Sequence, residues 1–167
     1  MLREKSIFAG IKKPTAIVLS ILLNACAVIP QHFDSHDRRL VGTWIGPAYL
    51  PLDIDYGEKT YFPNGTACGF ILEYGGAGKA SLTFYIDRWE IKDGRLLSEV
   101  DYTDDPYLSP GEVIQDNILE INSNYMRLQE TDDPVPYYRY KIKEDRGQLL
   151  CELAHIHLHL PASVLPP

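Results

Sequence analysis

Ser81-Leu82-Thr83-Phe84-Tyr85-Ile86-Asp87-Arg88-Trp89-Glu90-Ile91 is the stretch whose reading decides the fold. It contains no Gly or Pro and is rich in β-branched and aromatic residues, the composition of a strand. Leu82, Phe84 and Ile86 share one face; Ser81, Thr83 and Tyr85 share the other. Further on, the apolar set is Trp89 and Ile91, of opposite parity. A one-residue slip exchanges the faces. The alternation therefore predicts a β-bulge near Asp87–Arg88.

Outward from this strand the pattern repeats. Short segments rich in Val, Ile, Thr, Tyr and Phe are separated by turn signals. They predict strands over 40–47, 54–62, 66–74, 80–91, 95–102, 112–121, 124–130, 136–142 and 148–160. Pro63-Asn64-Gly65 and Lys92-Asp93-Gly94 are hairpin signals, because Asn-Gly and Asp-Gly accept the positive φ of a tight turn. Asn122-Ser123-Asn124 is a weaker one. No segment shows a 3.6-residue apolar period, so little helix is expected.

In an antiparallel meander, alternate turns fall at opposite ends. The tight turns at 63–65, 92–94, 122–124 and 143–147 make a closed end. The longer connections at 47–53, 75–79, 103–111 and 131–135, rich in Gly, Pro and Asp, make an open mouth. Gly75-Gly76-Ala77-Gly78-Lys79 joins two strands rather than entering a helix, so it reads as a turn and not a phosphate loop.

The 167 residues suit one domain, and residues 1–25 stand apart from it. Arg3, Lys5, Lys12 and Lys13 precede the apolar run Ala16–Leu23, which is too short to span a bilayer. The next residues, Leu23-Asn24-Ala25-Cys26, resemble the lipobox of bacterial lipoproteins. That resemblance implies cleavage before Cys26, a diacylglycerol on its thiol and an acylated amine. Two or more acyl chains hold a protein durably on a membrane. Ala27 implies an outer-membrane destination facing the periplasm, if the host has two membranes. Residues 26–39 are then a tether, 40–160 the folded domain and 161–167 a tail. The tether leaves from the closed end, so the mouth points away from the membrane.

Without its first 25 residues the chain keeps 142, with 12 basic and 22 acidic side chains and a net charge of −10. Such a surface gives nucleic acid no basic footprint. Cys68 and Cys151 remain, an even count in an oxidising compartment, and both follow closed-end turns. A bridge between them closes a loop worth about 4 kcal/mol on the loop-entropy model; the alternative is two buried free thiols.

Leu40-Val41-Gly42-Thr43-Trp44, Phe62-Pro63-Asn64-Gly65-Thr66 and Trp89-Glu90-Ile91-Lys92-Asp93-Gly94-Arg95-Leu96 occur in that order. Together they resemble small bacterial lipocalin-like domains over residues 40–142. The resemblance implies an all-β, antiparallel up-and-down barrel of about eight strands, here with an extra C-terminal strand at 148–160. It implies that Gly42 and Trp44 close one end, with Arg139 as the candidate basic partner of the Trp. The later Thr-Asp-Tyr motif of lipocalins is absent.

Two groups stand out for possible chemistry. In a strand, His155, His157 and His159 share a face, and neighbours about 7 Å apart reach one metal ion; the alternative is a solvated His row. Thr-Asp-Asp-Pro occurs twice, at 103–106 and 131–134. Asp104, Asp105, Asp132 and Asp133 then form an acidic mouth rim suited to a cation or a basic partner, or ordinary turns. No nucleophile elbow, zinc-protease motif or P-loop occurs, so neither catalysis nor a cofactor is expected. Two functions remain open. One is a tethered barrel binding a small, partly apolar molecule. The other is an interaction or inhibitor protein of the envelope, using the rim loops of a filled barrel. A filled interior would be built from Trp44, Phe70, Leu82, Phe84 and Trp89; a hollow one would hold a ligand. The 11 Tyr either line a cavity or fill sheet faces.

Overall fold

The structure is a computed structural model. It describes residues 36–47, 56–75 and 79–164. The leader, Cys26, most of the tether, two mouth connections (48–55 and 76–78) and 165–167 lie outside the described residues.

Eight antiparallel strands close into a barrel in sequence order. They are β1 (Gly42–Pro47), β2 (Tyr56–Tyr61), β3 (Thr66–Gly75), β4 (Lys79–Lys92), β5 (Arg95–Thr103), β6 (Val113–Ile121), β7 (Tyr125–Glu130) and β8 (Tyr137–Lys141). Closure is made by Trp44 opposite Lys141 and Ile45 opposite Tyr140. The two strongest turn signals act as expected. Gly65 has φ +85°, and Asn64 Oδ1 accepts the Thr66 N–H at 3.1 Å. Asp93 and Gly94 both have positive φ, the pair that a two-residue hairpin with the right-handed strand twist requires.

The predicted ninth strand is a helix, α1 (Gly147–His157). Asp145 Oδ1 accepts the Gly147 N–H at its start. At its end His159 has φ +54°, its N–H bonds the Ile156 carbonyl, and the Leu160 N–H bonds the His155 carbonyl. This is a Schellman ending with His where Gly is usual. α1 lies on the outside of the barrel, over β3 and β4. Leu150, Cys151 and Ala154 form its buried stripe, packed with Cys68, Phe84 and Ile86. The Cys68–Cys151 disulfide fixes it there, with Cα atoms 5.2 Å apart.

This helix also corrects the reading of β4. The register shift does lie between Ile86 and Asp87, but the additional residue is Asp101 on β5. β4 keeps one parity throughout: Thr83, Tyr85, Asp87, Trp89 and Ile91 are all buried, on the barrel side. Phe84 and Ile86 are apolar because α1 covers them from outside, not because the strand slips.

The interior is divided. In the closed half Leu40, Trp44, Tyr61, Trp89, Ile91, Leu96, Ile121, Met126 and Leu128 form a filled apolar core. Both indole N–H groups are satisfied by backbone at this end. Trp44 Nε1 donates to the Leu40 carbonyl at 2.7 Å, and Trp89 Nε1 to the carbonyls of Phe62 and Thr66. Of the side chains expected to fill the barrel, Trp44 and Trp89 do so. Phe70 and Phe84 lie outside beneath α1, and Leu82 is exposed.

Candidate functional site

Above the apolar floor, the open half of the barrel holds charged and phenolic side chains. They come from inward positions of five strands. Lys59 is on β2, Tyr85 and Asp87 on β4, Ser98 on β5, Asp116 on β6, and Tyr137 and Arg139 on β8. Two glycines make room for them. A Cβ on Gly69 would lie 2.3 Å from Tyr85 Cζ, and one on Gly46 would lie 3.0 Å from Arg139 Cγ. At these two positions the space a side chain would take is filled by Tyr85 and Arg139.

Lys59 and Asp87 form an ion pair at 2.5 Å, with side chains 5% and 0% exposed. Lys59 Nζ also donates to Ser98 Oγ at 2.9 Å. It stands 4.9 Å from the Tyr61 ring centre and 5.4 Å from that of Tyr85, within cation–π range. Lys59 is thus fully engaged. Burial pushes the Asp87 carboxyl above its usual range, against the pull of Lys59.

Arg139 is held differently. Its guanidinium lies 5.7 Å from the Tyr137 ring centre. Among the described residues nothing hydrogen-bonds its buried Nε. Burial alone would lower its affinity for the proton; the Asp116 carboxylate opposes that, and the guanidinium stays charged. Asp116 is also buried, at 7% exposure, and its Oδ1 has no protein partner. Burial raises the Asp116 carboxyl above its ordinary range, while Arg139 and the Tyr137 hydroxyl pull it down. Burial likewise raises the phenols of Tyr61, Tyr85 and Tyr137, so they remain protonated donors at neutral pH.

These groups line a cavity of about 260 Å³. Lys59, Tyr61, Tyr85, Ser98, Asp116 and Arg139 form its polar wall. Ile71, Leu108 and Ile114 add apolar surface, and Tyr107 and Glu112 come from the β5–β6 connection at the mouth. Glu130, near the top of β7, has its carboxyl raised by burial and by Asp116 and Asp133.

The residues singled out in the sequence distribute unevenly around this site. Gly42 and Trp44 sit at the closed end, where Gly42 has φ +120°. The basic residue over Trp44 is Lys141, not Arg139: its Nζ lies 5.1 Å from the indole and donates to the Arg39 carbonyl at 3.0 Å. Arg139 is two residues nearer the mouth and turns into the cavity. This corrects its expected role, because Lys141 is the residue paired with Trp44 across the barrel seam.

The shared His face is corrected too. In α1, residues two apart point about 200° from each other. His155 Nε2 meets the Pro161 carbonyl at 2.7 Å; His157 Nε2 meets Asp104 Oδ2 at 2.7 Å, with its ring 4.8 Å from that of Phe84. Among the described residues no three His, Cys, Asp or Glu side chains gather as metal ligands.

The acidic rim is largely spent on internal bonds. Asp104 Oδ1 accepts the Phe84 N–H at 2.6 Å. Asp105 is buried and accepts from Thr83 Oγ1 and the Tyr107 N–H. Asp133 caps the Val135 N–H at 2.7 Å, and Asp132 is exposed. The two repeats act chiefly as Asx turns.

Sequence reasoning missed Lys59, Asp87, Asp116 and the cavity role of Arg139. The available signal was Gly46 and Gly69 on inward positions, which mark where lumen side chains need space.

No protein-family model matches this chain, and no curated protein matches it. Among solved structures it is similar to a lipocalin-like protein from Bacteroides uniformis ATCC 8492. The TM-score is 0.40 at 11% identity, covering 62% of this chain and 99% of the other. The description as an eight-stranded antiparallel up-and-down barrel rests on the closed strand order itself. Among the described residues no helix is long and apolar enough to cross a membrane.

Proposed function

We propose that this chain is a non-catalytic binding protein of the bacterial cell envelope. It is held to the membrane by lipid on Cys26 and takes a small molecule into the open half of its barrel. The observation that carries this reading is the 260 Å³ cavity, whose wall includes the buried, unmatched polar atoms Arg139 Nε and Asp116 Oδ1. Buried polar groups are normally paired, and leaving one unpaired costs about 1–3 kcal/mol. A barrel evolved only to be filled would replace them with apolar side chains, as its closed half does. The cavity lies slightly below the roughly 300–1,000 Å³ of drug-sized sites. The ligand is therefore small, with polar groups turned inward and an apolar part toward Ile71, Leu108 and Ile114. The rival reading, a filled barrel acting through its rim, loses support from the same cavity and from the inward use of Asp104 and Asp105.

Native mass spectrometry of the full chain, extracted from its own membranes in mild detergent, tests the proposal. The expected result is a co-purified small molecule, released on unfolding, together with the added mass of the lipid. A ligand-free protein that no small molecule in a native extract shifts would refute the binding reading; an unmodified Cys26 would refute the anchor.

A further inference from the structure

We propose that the cavity recognises a small organic carboxylate, bound through the guanidinium of Arg139. The inference rests on the binding reading above and names its ligand class. Three observations lead to it.

Of the two cations among the described cavity residues, Arg139 is the one without an ion-pair or hydrogen-bond partner; Asp116 acts on it only through space. Lys59, the other, is occupied by Asp87, Ser98 and two aromatic faces. Among the described residues no carboxylate pairs with Arg139 and none bonds its Nε. A guanidinium presents donors in a planar fork that matches a carboxylate through two parallel hydrogen bonds. Arg139 is held in place for this, its stem against Gly46 and its plane near Tyr137.

The surroundings set the charge of the ligand. Asp87, Asp116 and Glu130 lie around the same lumen. A dianion such as phosphate meets repulsion from these acids, and among the described cavity residues only Arg139 stands outside the Lys59–Asp87 pair to offset it. A monoanion meets less of that repulsion and still takes both donors of the guanidinium edge. Asp116 Oδ1, buried and without a protein partner, supplies an acceptor beside the cation. A carboxylic acid carrying a hydroxyl donor satisfies both groups at once. Ile71, Leu108 and Ile114 then receive its hydrocarbon part. Arg139 is thus a specificity-determining residue, selecting acid over amide or alcohol.

The test is an NMR titration of the full chain in detergent, reading the Arg139 Nε–H signal and the ring signals of Tyr61 and Tyr85. The probes are 4-hydroxyphenylacetate and hexanoate, each against its primary amide. At least one acid is expected to shift the Arg139 signal and to bind at least about tenfold more tightly than its amide, since hydrogen bonds to a charged group are the stronger kind. Arg139→Gln is expected to abolish the preference, and Arg139→Lys to keep part of it, because a point charge lacks the fork. The comparison of acid with amide on the unaltered protein stands even if a variant fails to fold. Equal binding of acid and amide overturns carboxylate recognition and leaves the cavity as a binding site. No shift from either acid also overturns it; Arg139 then faces only water. The mass-spectrometric experiment decides separately whether anything binds.

Discussion

Replacing Lys59 with Met removes one partner of the most buried ion pair in the barrel and leaves the lumen its shape. The side chains are similar in length, so packing is little changed. What changes is the state of Asp87. Its carboxyl is 0% exposed, and its Oδ1 has no partner even with Lys59 present. After the substitution its ion-pair partner is gone and only the through-space pull of Arg139 remains. Breaking a buried pair from one side typically costs about 3–5 kcal/mol, a large share of the roughly 5–15 kcal/mol that holds a domain together.

The sign of the pH dependence follows from the same carboxyl. Burial already raises Asp87 above its usual range, and Lys59 opposes that rise. Without Lys59 the folded-state value climbs further above the unfolded one. A carboxyl raised in the fold contributes stability that is present below the unfolded value and is lost as pH rises through the folded value. The variant should therefore lie closest to the parent near ~pH 4 and fall behind toward ~pH 7. Urea unfolding followed by Trp fluorescence at both pH values measures this, with Trp44 and Trp89 as buried reporters. The Lys59→Met, Asp87→Leu double variant removes both charges and should be more stable at neutral pH than Lys59→Met alone. A neutral-pH loss below about 1 kcal/mol, or a loss independent of pH, would show that the pair does not carry the charge balance of the lumen.

Further outcomes follow from the geometry. Asp116→Asn should gain stability over the parent as pH rises from the acid range, because burial raises this carboxyl and its charged form is the unfavourable one; unfolding midpoints across pH check it, and a gain confined to acid would contradict it. Cys151→Ser should lower stability by about 2–4 kcal/mol, since the bridge joins residues 83 apart in sequence. Amide exchange should rise first in α1, and equal protection there with and without the bridge would contradict the helix's reliance on it. Trp44→Ala should cost about 3–5 kcal/mol through the void left under Lys141, read by thermal unfolding. Cys26→Ala should fold normally and move from the membrane to the soluble fraction; unchanged fractionation would remove the lipid from the account.

The eight strands of the barrel and their order were legible in the sequence. The reason is local. Asn64-Gly65 and Asp93-Gly94 permit backbone angles that most residues resist, so they place hairpins without help from the rest of the chain. α1 was not legible, for an equally specific reason. Its stop is His159 in the left-handed conformation, where Gly would have announced it, and its stretch is apolar on nearly every side. Leu149, Leu153 and Ile156 are exposed opposite the buried stripe. A short segment of that kind supports period 2 as readily as period 3.6.

Two matters were decided only by tertiary structure. One is which face of β4 turns inward: alternation says that Tyr85, Asp87 and Trp89 share a side, but not that the helix outside makes the other side apolar as well. The other is the lumen. Lys59, Asp87, Asp116 and Arg139 read from sequence as ordinary strand polars, and only closure of β8 on β1 gathers them from separate strands into one enclosed space. Periodicity depends on neighbours two residues apart; the electrostatics of a cavity depend on residues that the chain separates by up to 80 positions and that only ring closure brings face to face.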